Sequence, residues 1–404
     1  MHKLLLLVLA ALYHFPAFSQ SLTLSAALER AFTSNPEIAV AAREVEAIDG
    51  VVRQAGIIPN PELVTLVEDR HTATRTTTIQ INQPIELGGK RSARIDAAQR
   101  SRAAALAELA AKRAEVRAAV ITAFYDVLTM QERHQLAFTS SELAQRATRA
   151  AAKRVQAGRI SPVEETRARV AESAVRIELV QAAAELANAR KRLAATWGDS
   201  LAQFERVDGQ VDHLPPVPAL NDLIARLPQS PGMQRARIEV ERRQALAQVE
   251  SARQIPDITV SLGTKRDAQL GRNQAMLGVS IPLPLFDRNQ GNLQEALRRT
   301  DKARDELTVT EVRLSGELTQ AHERLQALRQ ETELLQSEIL PGAQSAYDAA
   351  AKGFEYGKFS FLEVLDAQRT LLQAKSQYLR ALSETHRAAA DIDRIVGINE
   401  TLEK

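Results

Sequence analysis

A short turn occurs twice in this chain, and everything else is arranged around it. Ala157-Gly158-Arg159-Ile160-Ser161 separates two long helical patterns, and Tyr356-Gly357-Lys358-Phe359-Ser360 separates two more, with the glycines 199 residues apart. Trp197-Gly198 and Val396-Gly397 repeat at the same offset, and Gln83-Pro84 and Ile281-Pro282 at 198. Asn60-Pro61 and Ile255-Pro256, and Asn35-Pro36 and Ser230-Pro231, repeat at 195. So many markers with so little drift indicate a duplication, and the period is far longer than a solenoid unit. The expectation is two large structural halves, residues 20–198 and 220–404, joined by a proline-rich linker over 199–219 that contains Pro215, Pro216 and Pro218.

Within each half the order is the same. In the first, Ser25 is expected to cap a helix through Leu28 and Phe32. Asn35-Pro36 ends it and starts a second helix, which Ile58-Pro59-Asn60-Pro61 stops because two prolines remove donors and force extended neighbours. Strands are expected over 62–69 and 75–82, rich in β-branched residues and joined by a polar loop through His71. After Gly88-Gly89 a helix runs over 90–156 with no proline, on the order of 100 Å if straight. Leu106, Leu109, Val116, Val120, Phe124, Val127 and Leu128 form its seam. Ser161 as N-cap, Pro162 at N1 and Glu164 at N3 open the return helix, 162–197. The second half repeats the plan: strands over 258–264 and 275–281, then helices over 289–355 and 361–396. Its seam is Leu307, Leu314, Leu318, Leu325, Leu328, Leu335 and Ile339, with a local kink at Pro341.

Composition narrows the function classes. Aromatics are only 4%, which suits long helices packed by small side chains. A net charge of +2 gives no footprint for nucleic acid. The absence of cysteine excludes disulfides, thiol chemistry and a lipid anchor on an N-terminal cysteine. Residues 1–19 carry Lys3, an apolar run over Leu4–Leu12 and small residues near Ser19, the pattern of a cleavable signal peptide. No later stretch has the apolar length of a spanning helix, so any membrane insertion falls to the strands. Four strands cannot close a barrel, and an open edge is not tolerated in lipid, so the chain must oligomerise; three copies would supply twelve strands, wide enough for a passage.

This order of elements resembles the TolC-like outer-membrane efflux protein family over nearly the whole mature chain. Two segments, Gln83-Pro84-Ile85-Glu86-Leu87-Gly88-Gly89-Lys90-Arg91 and Ile281-Pro282-Leu283-Pro284-Leu285-Phe286-Asp287-Arg288-Asn289-Gln290-Gly291-Asn292, are similar to those that follow the hairpins in its heavy-metal (cobalt–zinc–cadmium, CzcC-like) branch. The resemblance implies a mainly α fold with a four-strand contribution, a homotrimer with a β-barrel in outer-membrane lipid, and an α-helical tunnel in the periplasm. It also implies a periplasmic adaptor and an inner-membrane resistance–nodulation–division pump as partners. The two turns, Ala157, Gly158, Arg159, Ile160, Ser161 and Tyr356, Gly357, Lys358, Phe359, Ser360, match the tip at which the adaptor docks, with Ile160 and Phe359 as exposed apolar contacts. Glu363 and Asp366 match carboxylates of the periplasmic entrance; three copies of this pair would form an acidic collar attractive to cations. In the first half Glu164 matches Glu363, but Arg167 replaces the second acid. The histidines are scattered without ligand spacing, so no metal site, no cofactor and no catalytic constellation is expected. The same duct serving drugs or organic solutes, and a periplasmic coiled-coil adaptor or scaffold, are the other readings. The duplicated hairpins with bracketing strand pairs argue against the second.

Overall fold

The computed structural model describes residues 21–397. The signal segment 1–19 lies outside the described residues. The chain forms two compact units, one of residues up to Thr33, Ala119–Pro215 and Leu328–Arg387, the other of Ser34–Ala118, Pro216–Ala327 and the segment from Ala388 onward.

The second unit contains the sheet. Strands β1 (Glu62–Glu68), β2 (Thr76–Ile85), β3 (Ile258–Asp267) and β4 (Arg272–Ser280) form one antiparallel sheet in the order β1-β2-β3-β4. The hairpins of the two halves therefore meet through β2 and β3. The register places Leu63 opposite Ile81, Ile81 opposite Leu262 and Leu262 opposite Leu277, so these share one face with Val67, Ile79, Val260 and Val279. Thr78, Gln80, Asn82, Ser261, Lys265 and Gln274 lie on the other, where Val64, Leu66 and Met276 are the apolar exceptions. The apolar face is bare: Leu63 is 69%, Leu262 67% and Leu277 78% exposed. A strand face this apolar and uncovered is an unusual feature for water and an ordinary one for lipid.

Strand β2 differs from expectation at its end. The strand expected over 75–82 continues to Ile85, and Pro84 lies within it opposite Thr259. Pairing with β1 stops at Asn82, so at Pro84 the strand has a neighbour on one side only and no bond is lost for want of an N–H.

The elbows between sheet and helices are tied down by side chains. Asp257 accepts from the Leu87 amide at 3.0 Å and from Lys90 Nζ at 2.7 Å. Arg94 binds Glu86, and Arg91 donates to the Gly56 carbonyl. After β4, Asn289 adopts φ 58° and donates to the carbonyl and carboxylate of Glu250, each at 2.8 Å.

The helices are α1 (Leu24–Ser34), α2 (Pro36–Ala55), α3 (Lys90–Gln156), α4 (Pro162–Ala195), α5 (Leu220–Arg226), α6 (Pro231–Ala252), α7 (Gln290–Leu334), α8 (Leu340–Glu355) and α9 (Phe361–Val396). Helix α1 begins one residue before Ser25; Thr23 accepts the Ala26 amide, so Thr23 and not Ser25 is the cap. Asn35 caps α2 through the amides of Glu37 and Ile38. The α3 seam is buried from Val116 through Val120, Phe124, Val127 and Leu128, whereas Leu106 is 41% exposed.

The expected continuous helix over 289–355 is interrupted. Leu335–Ile339 form a π turn between α7 and α8, with the Leu340 amide bonding the Leu335 carbonyl. The extra residue shifts the phase, so Ile339 leaves the seam (47% exposed) and Leu340 enters it, packed with Tyr347 against Ala343, Leu371 and Ala374. Pro341 follows in the first turn of α8, where its missing N–H does least harm.

In the first unit, residues 199–215 are strapped to the helices. The Gln131 side-chain amide exchanges two hydrogen bonds with the Val207 backbone, at 2.8 and 3.1 Å, and Val207 also bridges Leu22 in parallel. His386 Nε2 bonds the Val211 carbonyl at 2.9 Å while its ring stacks on Tyr125.

Candidate functional site

Both α-hairpin turns are built alike. Gly158 and Gly357 hold φ 66° and 72°, the left-handed region that a side chain disfavours. The Arg159 amide bonds the Arg154 carbonyl and the Lys358 amide bonds the Gly353 carbonyl, each closing the end of the preceding helix.

The two turns present different side chains. Ile160 is not an exposed contact: it folds inward, packing with Ala147, Phe354 and Leu365 against buried Ala151 and Ala168. Burying a branched aliphatic in its own hairpin is the cheaper arrangement here, because alanines on α3 and α4 leave room for it. Phe359 remains 45% exposed and Tyr356 72%. Ala157, Gly158, Arg159, Gly357, Lys358, Ser161 and Ser360 are all exposed. The tip thus carries two accessible aromatics from one turn and a basic rim, Arg159 and Lys358, from both.

Two contacts at the tip gave no signal in the sequence. Phe359 lies on Gly353, where any Cβ would stand 2.1 Å from the ring. Arg154 covers the Phe354 ring at 4.0 Å, joining α3 to α8. A glycine late in a helix reads as a weak spot until the ring above it is seen.

The carboxylates also diverge. Glu363 accepts from the Ser360 amide at 2.6 Å and its hydroxyl at 2.9 Å, while the Glu363 amide faces Ser360 Oγ at 3.4 Å, a reciprocal capping box. In the first half Ser161 Oγ accepts from Val163, but Glu164 does not return the bond. Its Oε2 is buried with no hydrogen-bond partner, and Oε1 lies 3.9 Å from Arg167. Asp366 is exposed one turn beyond Glu363. The structure therefore brings Glu363 and Asp366 onto one helix end, with Glu363 already engaged in holding that end.

Along the same unit, α3, α4 and α9 border an open groove of about 620 Å³. Leu136, Val175, Leu365 and Leu372 line it with Arg133 and Arg369. Among the described residues no three His, Asp or Glu converge on a point that could hold a metal ion, and no helix is long and apolar enough to cross a membrane.

Residues 27–199 and 225–398 each match the family described as outer membrane efflux protein. The chain belongs to that family. This efflux protein is 51% identical to the cobalt-zinc-cadmium resistance protein CzcC of Cupriavidus metallidurans, over 93% of its own length and 90% of that protein's. It is 27% identical to the nickel-cobalt-cadmium resistance protein NccC of Alcaligenes xylosoxydans xylosoxydans, over 70% and 65%. Its fold matches that of the outer membrane protein VceC from Vibrio cholerae with a TM-score of 0.77 at 20% identity, covering 93% of this chain and 96% of that one. The efflux protein is thus a channel component of the TolC-like type and not an enzyme.

Proposed function

We propose that the protein is the outer-membrane exit duct of a tripartite pump for divalent heavy-metal cations. The observation that carries the cargo is the 51% identity to a cobalt-zinc-cadmium resistance protein across nearly the full length of both chains. The sheet supports the membrane part of the reading. One face is apolar and bare, the other mostly polar, and β1 and β4 are open edges. In lipid those edges must be paired by further copies; two copies supply eight strands, filled by side chains, and three supply twelve, which leave a passage. A homotrimer is the smallest assembly that conducts. The reading includes export through a signal peptide over residues 1–19.

A duct supplies no energy, so the reading includes an inner-membrane pump of the resistance–nodulation–division type and a periplasmic adaptor between the two. The docking tip is formed by the Gly158 and Gly357 turns, with Tyr356 and Phe359 as apolar contacts and Arg159 and Lys358 for acidic groups. Glu363 and Asp366 are the cation-attracting entrance. A passive duct works by weak attraction, because tight ligation would slow release.

The test is survival of a deletion strain on zinc, cobalt, cadmium, nickel, copper and silver salts beside a panel of drugs and detergents. Sensitivity restricted to divalent metals is the expected result. Sensitivity restricted to organic compounds would assign the duct to a drug or solute pump.

A further inference from the structure

The π turn Leu335–Ile339 separates two helices that do not share a heptad phase. The inward stripe of α8 is Leu340, Ala343, Tyr347 and Ala350, with the alanines buried and Leu340 and Tyr347 half-buried. Counting the α7 seam onward as plain α-helix from Leu335 gives a different stripe: Ile339, Gly342, Ala346 and Ala349. That second stripe is apolar or small at every position, and all four residues are exposed. Helix α8 therefore carries two adjacent packing faces one residue apart, and the π turn decides which is used.

We propose that α8 is a two-register helix and that the tip of this duct is regulated by migration of the π turn along it. The inference rests on the duct reading for its consequence but not for its geometry. When the turn moves toward the hairpin, each residue it passes advances by one place and rotates about 100°. Ile339 takes the site of Leu340, Gly342 that of Ala343, Ala346 that of Tyr347 and Ala349 that of Ala350. One i→i+5 bond is exchanged for one i→i+4 bond at each step, so the backbone count is unchanged. Pro341 is the exception: it has no N–H to exchange, and in the straight register its ring meets the Ser337 carbonyl, so the second register is the strained one and needs a partner to hold it. Gly353 must stay beneath Phe359, which stops the turn before the hairpin itself.

The two registers differ in fit. The present one fills the contact with Leu371 and Ala374 using Leu340 and Tyr347. The other replaces Tyr347 by an alanine and Ala343 by a glycine, leaving α8 loosely held on α9. The filled register is the resting state, and a partner that engages the hairpin can bias the second only by binding it better.

The chain has no cysteine, so engineered pairs report the register directly. Ala343→Cys with Ala374→Cys reads the present register, and Gly342→Cys with Ala374→Cys reads the other. Deleting Ser337 removes the extra residue, makes α7–α8 one continuous α-helix, and locks Leu340, Ala343, Tyr347 and Ala350 in place. In the native host with its complete pump and zinc in the medium, the 342–374 disulfide is expected to rise about tenfold over the isolated duct. It is expected to vanish in the Ser337 deletion, whose 343–374 disulfide stays complete while metal resistance is lost. Absence of the 342–374 disulfide from the working pump overturns the proposal, and so does full resistance in the Ser337 deletion. If the deletion fails to fold, shown by loss of its 343–374 disulfide, the wild-type pair alone decides. If the duct serves another cargo, resistance is uninformative, but the two disulfides still read the register under that cargo.

Discussion

Arg387 grips Asp126 with a single guanidinium nitrogen, 2.8 and 2.7 Å from the two carboxylate oxygens. Asp126 is 6% exposed on α3 and also accepts from Ser383 on α9 at 3.0 Å. The pair fastens two helices of the first unit to each other by charge. Arg387→Ala leaves a buried carboxylate with fewer donors and is expected to cost about 1–3 kcal/mol. Asp126→Ala leaves a cation that reaches water and should cost less. Thermal denaturation of both single variants and the double variant checks this: the double should be less damaging than the sum.

Gly158→Ala and Gly357→Ala meet no neighbouring atom, so each should cost only the left-handed backbone penalty, about 1–2 kcal/mol. Gly353→Ala carries no left-handed penalty, since Gly353 lies within α8, but must displace the Phe359 ring. If Phe359 is an adaptor contact, Gly353→Ala and Phe359→Ala should both weaken co-purification of the adaptor, whereas Ile160→Ala should act through hairpin stability. Equal recovery of adaptor by Phe359→Ala and the parent would remove Phe359 from the interface.

The capping box separates two roles of Glu363. Glu363→Gln retains an acceptor for Ser360 and removes the charge, while Glu363→Ala removes both and should cost about 1 kcal/mol in the hairpin. Combined with Asp366→Asn, the glutamine variant should lower the cation selectivity of the reconstituted pore with little loss of stability. Unchanged reversal potentials would eliminate the entrance collar.

His386 introduces acid sensitivity. Burial against Tyr125 lowers its pKa from the usual 6.5, opposed by the Val211 carbonyl and assisted by nearby His213. The folded form therefore binds a proton less readily than the unfolded chain. Stability is fully present above about pH 6.5 and falls as the pH drops from there toward the lowered folded value. His386→Asn should flatten the dependence of melting temperature on pH between 7.5 and 5.5.

Glycine and proline punctuation made the mainly helical plan and its four strands legible, because each breaker acts through local backbone geometry that needs no partner. What escaped was set by contact. Pro84 reads as a stop unless it is known that β1 begins only at Glu62, opposite Asn82, and leaves Pro84 without a neighbour on that side. The phase after Leu335 was undecidable because Ile339 and Leu340 are equally apolar, so a heptad count has two valid continuations. Ser161 to Glu164 and Ser360 to Glu363 share one spacing, yet only the second closes a capping box. Ile160 looked accessible because the alanines that receive it lie on two different helices.

The open edges of the sheet have a consequence for the cell that makes it. In the proposed assembly the pore wall is divided among separate chains and encloses nothing until the last piece arrives. A stray copy at the outer membrane is a fragment of hull and not a leak, so the permeability barrier is safeguarded by arithmetic before any gate is needed.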